Sequence, residues 1–163
     1  MDYETAKELF DYDPDTGLLT WKVRPGACSK VKIGDVAGSL HKDGYIRVTY
    51  KRKMYMGHRL AWLLTTKAWP LNQIDHINGI PDDNRLRNLR EATRGENDQN
   101  RKSYSNTGVS GVHFTKKGYY RAGLMVNGKY ILNTDFKTFD EAVAAVTEAK
   151  RTYHTFNPDM VTR

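Results

Sequence analysis

Apolar positions along this chain change their period several times, and each change marks an element. Tyr3, Ala6, Leu9 and Phe10 share one side of a helix over 2–10. The run Asp13-Pro14-Asp15-Thr16-Gly17 ends it, since proline fixes φ and glycine supplies the reversed backbone of a turn. Residues 18–23 then read as a strand with Trp21 in the core, and 24–35, which hold Pro25, Gly26 and Gly34, as irregular chain. Over 45–50, Ile46 and Val48 alternate with Tyr45, Arg47 and Thr49, so one face can be buried while the other carries charge. A second strand, 54–57, follows across the hairpin tip Lys51-Arg52-Lys53. Helical spacing returns at 58–66 through Leu60, Ala61, Leu63 and Leu64, and stops near Trp69-Pro70, where proline bars continuation.

Residues 73–76 read as a strand running into the turn Asn78-Gly79, and 86–91 as a strand returning. The run 80–85 between them is too polar for core and makes a compact loop. Thr93 and Glu96 have capping-box spacing, which starts a short helix near Arg94 and places Asn97 on its first turns. Residues 102–107 interrupt both periodicities and read as a linker. Three strand candidates follow, 111–115, 119–126 and 129–136, the last two joined by the hairpin signal Asn127-Gly128. A second capping box, Thr138 to Glu141, opens a helix through about 154.

These elements predict an α+β chain: an N-terminal antiparallel β-rich segment over 1–57, a central ββα unit over 58–102, a linker over 103–107, and over 108–163 a three-stranded antiparallel sheet with one helix. The 163 residues suffice for one ordinary domain or a few small modules. No apolar run approaches the roughly 20 residues that span a bilayer, and the opening Met-Asp-Tyr-Glu lacks a signal-peptide layout, so an intracellular protein is expected, with no membrane partner. The single cysteine, Cys28, excludes an intrachain disulfide and an all-cysteine zinc site.

Charge adds a substrate class. The net charge is +7, and it is uneven: ten basic against two acidic residues over 22–59, five against six over 60–100, ten against five over 101–163. Two basic blocks around a carboxylate-containing middle suit a polyanion laid across the molecule, so nucleic acid is the expected partner and 1–57 is expected to contact it. Lys51, Arg52 and Lys53 are either a solvated turn or phosphate contacts. His58, at the start of its helix, is open to packing, capping or a phosphate contact, and a structural role is the commoner one for a lone histidine.

The chemistry centres on Ile74-Asp75-His76-Ile77-Asn78-Gly79. Strand, loop, strand and helix over 73–101 bring Asp75 opposite Asn97 with an opening between them. Two oxygen ligands suit a hard cation such as Mg²⁺ (or Mn²⁺), one per site, whose other positions go to water and substrate phosphate. His76 points away from Asp75, as neighbours on a strand do, and its near-neutral pKa suits taking a proton from an attacking water. Zinc fits less well, because asparagine is a poor zinc ligand and no further histidine is suitably spaced. Phosphodiester hydrolysis is the reaction this set supports.

Asp75-His76, Asn88 twelve residues after His76, Asn97 nine further on, His58-Arg59-Leu60-Ala61-Trp62 and the flanks Asn84-Arg85-Leu86 and Leu89-Arg90 resemble the HNH endonucleases of phages, in the subgroup with HNN-type motifs. The resemblance implies a cytoplasmic, homing-endonuclease-like enzyme, made by a phage in its host cell, that nicks or cleaves double-stranded DNA. It makes His76 the general base and Asp75 and Asn97 the metal ligands, with Asn88 bracing the ββα loop through its backbone. Where related enzymes often carry histidine, this chain has Asn97, as in intron-associated phage enzymes that nick one strand. The segment 12–21 is similar to the leader of such proteins.

Residues 108–154, through Gly111-Val112, Tyr120-Arg121-Ala122 and Asn127-Gly128-Lys129, resemble the AP2-type DNA-binding domain, departing from it at Asn133-Thr134. Groove reading needs basic and aromatic side chains on one sheet face, and Lys116, Lys117, Tyr119, Arg121 and Lys129 are the candidates here. Arg85, Arg90, Arg94, Asn100 and Arg101 are the candidates around the central unit. A single ββα unit attacks one strand at a time, so a monomer, which is favoured, fits nicking. The competing function is a non-catalytic DNA-binding protein in which the HNH unit is a vestigial scaffold.

Overall fold

A computed structural model describes residues 1–26, 30–99 and 105–154 of the chain. Its fold is α+β, and it divides into two compact units, Met1–Arg94 and Gly95–Arg163.

The first unit opens with α1 (Tyr3–Leu9), whose first turn is capped by Asp2 accepting from the Thr5 amide at 2.9 Å. Phe10, which the apolar spacing gives to the helix, instead turns extended and starts β1 (Phe10–Tyr12), antiparallel to β2 (Leu19–Trp21). Between them Asp13 Oδ1 accepts from the amides of Asp15 and Thr16, and Gly17 takes φ +78°. A second sheet follows in the order β3 (Ser39–Leu40), β4 (Ile46–Tyr50), β5 (Lys53–Met56). Lys53 pairs with Tyr50, so the tip has two residues, Lys51 and Arg52, both with positive φ (46° and 63°), rather than three. That backbone is the one that suits a two-residue hairpin.

Helix α2 (Gly57–Thr66) ends on Lys67 in the left-handed conformation, so a backbone reversal stops it before Pro70 is reached. Its Leu60 and Leu63 lie in one core with Ala6, Leu9, Phe10, Trp21 and Val48, and the Phe10 and Trp21 rings pack at 4.6 Å. Each buried leucine, valine or phenylalanine here contributes about 1.5–3 kcal/mol. The N-terminal segment and the start of the ββα unit therefore share one core. The rest of the unit is β6 (Gln73–His76), a 3₁₀ turn at Leu86–Asn88 and β7 (Leu89–Ala92), antiparallel to β6, followed along the chain by α3 (Arg94–Gln99). Ile74 and Leu89 pack with Ala61 and join that hairpin to α2.

The second unit carries β8 (Val112–Phe114), β9 (Tyr120–Val126) and β10 (Lys129–Phe136) in the order β10-β9-β8. Asn127 and Gly128 both take positive φ at the β9–β10 turn. Helix α4 (Phe139–Tyr153) begins in the expected capping box of Thr138 and Glu141 and packs Ala142 and Val146 on Val109, Val112 and Ala122. Gly111 sits where a Cβ would lie 2.7 Å from Val146, so only glycine lets helix and sheet meet there. No helix among the described residues is long and apolar enough to cross a membrane.

A candidate active site on the β6–β7 hairpin

Period two puts Asp75 and His76 on opposite faces of β6, yet both are buried, at 6% and 5% exposure. Asp75 stands opposite Arg90 in the β6–β7 register. The Arg90 Nε and Nη2 donate to Asp75 Oδ2 at 3.0 and 2.9 Å, a charge-assisted pair. His76 ends the strand, and its Nε2 lies 3.1 Å from Asn84 Oδ1. Burial pushes the His76 pKa down, opposed by the bond to Asn84 and the negative charges of Asp75, Asp83 and Asp82.

The loop that follows is held by asparagines. Asn88, 6% exposed, accepts from the Asn78 amide through Oδ1 at 3.0 Å and donates through Nδ2 to the Asp83 carbonyl at 2.8 Å. One side chain thus ties both ends of the loop. Asn78 donates to Asp83 Oδ2, and Arg85 grips the same carboxylate from Nε and Nη2. That grip, led by the Arg85 hydrogen bonds, holds the Asp83 carboxyl down to about 2.

Three rings meet at the site. His58 lies edge-on to His76 with centroids 5.1 Å apart, and Tyr45 packs on both, at 5.4 and 5.8 Å. His58 is 6% exposed and packs on these two rings. Its Nδ1 is buried with no hydrogen-bond partner. Burial, with the nearby charge a protonated His76 or Arg59 would present, drives its pKa down to about 3.

A pH dependence of stability follows. The unfolded chain takes up a proton on His58 below about 6.5 and the folded one only near 3, so stability falls as pH drops through that window. Between pH 7 and pH 5 this histidine accounts for about 2 kcal/mol of lost stability. Urea unfolding at the two pH values measures the loss, and in His58→Phe the difference shrinks by about that amount.

The other expected residues are placed as follows. Asn97 lies on α3, half-buried. Lys51, Arg52, Lys53, Arg94, Lys116, Lys117, Tyr119 and Lys129 are exposed. Arg121 is exposed too, but its guanidinium is bidentate to Asp135 at 2.6 and 2.8 Å, so three of the expected DNA-facing arginines, Arg85, Arg90 and Arg121, are paired with carboxylates. Asn100, Arg101 and Cys28 lie outside the described residues, as does part of the 103–107 linker. In the sequence Asn84 stands out only as a flank of the motif and Tyr45 only as an aromatic of the 45–50 segment, neither with a site role of its own.

For a metal, the donors are few. Among the described residues no three of His, Cys, Asp or Glu gather as a cage. Asp75 is a carboxylate and Asn97 carries an amide oxygen, donor types that suit a hard cation better than a four-ligand zinc site.

Residues 55–99, which run from β5 through the β6–β7 hairpin to the end of α3, match a family model described as HNH endonuclease. The match supports a nuclease acting on DNA, in a family whose members generally depend on a divalent metal. No curated protein and no solved structure matches the chain.

Proposed function

We propose that the chain is a metal-dependent, homing-endonuclease-like nuclease that hydrolyses phosphodiester bonds of double-stranded DNA. The observation that carries this reading is the buried Asp75-His76 pair at the end of β6, with the loop beside it tied by Asn88, inside the segment that matches the HNH model. Asp75 and Asn97 would hold Mg²⁺ or Mn²⁺, and the chemistry a bound cation would supply is polarisation of the scissile phosphate and stabilisation of charge on the leaving oxygen.

His76 supplies the base. It takes a proton from a water whose oxygen bonds to phosphorus, the bond from phosphorus to the 3′ oxygen breaks, and that oxygen leaves as a hydroxyl with a proton from solvent. Burial favours this role, because a depressed pKa keeps the imidazole neutral and ready to accept at neutral pH. Asn88 keeps the loop from moving the imidazole off the reacting water.

The C-terminal sheet and helix are the targeting module, a reading that rests on the sequence resemblance of 108–154 to the AP2-type domain and on three strands with one helix packed on them. Lys116, Lys117, Tyr119 and Lys129 are its exposed contacts, and the Lys51-Arg52 tip is a phosphate contact of the first unit. Arg121 serves its sheet by holding Asp135 across the β9–β10 ladder.

Supercoiled plasmid carrying a cleavable site tests the whole. The chain nicks it with Mg²⁺ or Mn²⁺ and stops when EDTA is added. Asp75→Asn, which preserves shape and an acceptor for Arg90, weakens Mn²⁺ binding at least about tenfold in titration and lowers nicking with it. Plasmid left intact by the wild type with both metals present refutes the reading.

A further inference from the structure

A histidine works as a base only through the ring nitrogen that carries a lone pair, and a neutral imidazole has two such forms. A contact of the Nε2 nitrogen bears on the choice between them. His76 Nε2 and Asn84 Oδ1 lie 3.1 Å apart, and both residues are buried, Asn84 at 3% exposure. An amide oxygen accepts a proton and has none to give, so the contact is a hydrogen bond only when Nε2 is protonated. In the other form two lone pairs would face each other inside the protein.

We propose that Asn84 is a positioning residue for His76: by accepting from Nε2–H it holds the imidazole in one neutral tautomer and assigns Nδ1 as the nitrogen that takes the proton from water. The proton adds to Nδ1, and the imidazolium keeps its Nε2–H bond to Asn84, which becomes charge-assisted. The same contact thus orders the base before the reaction and stabilises it after.

Asn84 is itself fixed. Its carbonyl accepts from the Tyr12 hydroxyl at 2.7 Å, and its amide donates to the Asp82 carbonyl at 3.0 Å. The Leu86 amide two residues on donates to the Pro14 carbonyl at 3.0 Å. On the side of its amide nitrogen stands Gly57, where a Cβ would lie 3.1 Å from Nδ2. The His58 and Tyr45 rings pack on the His76 ring, so the imidazole is held in plane as well as in tautomer. The N-terminal segment therefore acts on the base through Tyr12 and Asn84, without touching DNA to do so.

The inference rests on His76 being the base, and its test reads the tautomer apart from the activity. In the full chain labelled with ¹⁵N-histidine, the His76 resonances of the wild type are those of a protonated Nε2 and a bare Nδ1. Asn84→Leu gives a mixture of tautomers and lowers kcat for nicking about 10–100-fold with little change in KM. Asn84→Asp, which keeps an acceptor oxygen in place, restores the single tautomer and most of kcat. A wild type whose His76 is protonated on Nδ1 overturns the proposal whether or not any variant folds, and so does an Asn84→Leu chain that keeps the single tautomer and full kcat. A wild type with the assigned tautomer that nicks no plasmid with either metal marks the failure of the nuclease reading, and the positioning role falls with it.

Discussion

His76→Ala lowers the rate of plasmid nicking by about 10²–10⁴-fold at saturating Mg²⁺, the share of a barrier that a positioned general base supplies. In free energy this is about 2.7–5.5 kcal/mol of lost transition-state stabilisation. The effect belongs in kcat, because His76 is buried at the end of β6 and contributes little to ground-state attraction for DNA, which exposed lysines and arginines carry. Truncation also leaves a hole beside Tyr45 and His58 and frees Asn84 Oδ1, so a loss from disorder has to be separated from a loss of chemistry. Added imidazole separates them: it fits the space that the side chain vacates and restores part of the rate if the proton acceptor is what was missing. Nicking by His76→Ala at the wild-type rate would place the base on another residue.

The parts of this site that were legible in sequence are those set by short spacing. Asp75 and His76 are adjacent, and Asn88 follows within one strand-loop-strand unit, so its two backbone bonds to Asn78 and Asp83 close over a short loop. The same is true of Asn127-Gly128 and of the Thr138-Glu141 capping box, where the signal and the structure it makes occupy the same few residues. What stayed hidden depends on register and on packing between distant elements. Arg90 meets Asp75 and Arg121 meets Asp135 because each pair is opposite in its ladder, which charge counting along the chain does not reveal. Strands β1 and β3 have three and two residues, too short for alternation to announce them, and exist through their partners. Asn84, Tyr45 and His58 reach His76 from a loop, from the residue before β4 and from a helix. Only folding brings their chemistry together.

Gly17→Ala destabilises the first unit by on the order of 3 kcal/mol and lowers nicking as well, although the residue is remote in sequence from the site. Two costs add. At φ +78° an alanine sits in the left-handed region, at about 1–2 kcal/mol. Its Cβ would also lie 2.5 Å from the Arg85 amide nitrogen and 2.6 Å from the Asn84 carbonyl carbon, and backbone atoms, unlike the end of a flexible side chain, have no rotamer by which to yield. The turn at 13–17 must therefore back away from residues 84–86, straining the Leu86–Pro14 bond and the bond from the Tyr12 hydroxyl to Asn84, and Asn84 moves relative to His76. Gly34→Ala is the control, since Gly34 has a similar φ of +88° but nothing within 4 Å of its added Cβ. It isolates the conformational cost, leaves nicking unchanged, and shifts the urea midpoint less than Gly17→Ala does. Equal shifts for the two substitutions would show that the turn is not braced against the loop that holds the base. A larger shift at Gly17 accompanied by lost nicking would trace a mechanical path from an N-terminal glycine to the imidazole.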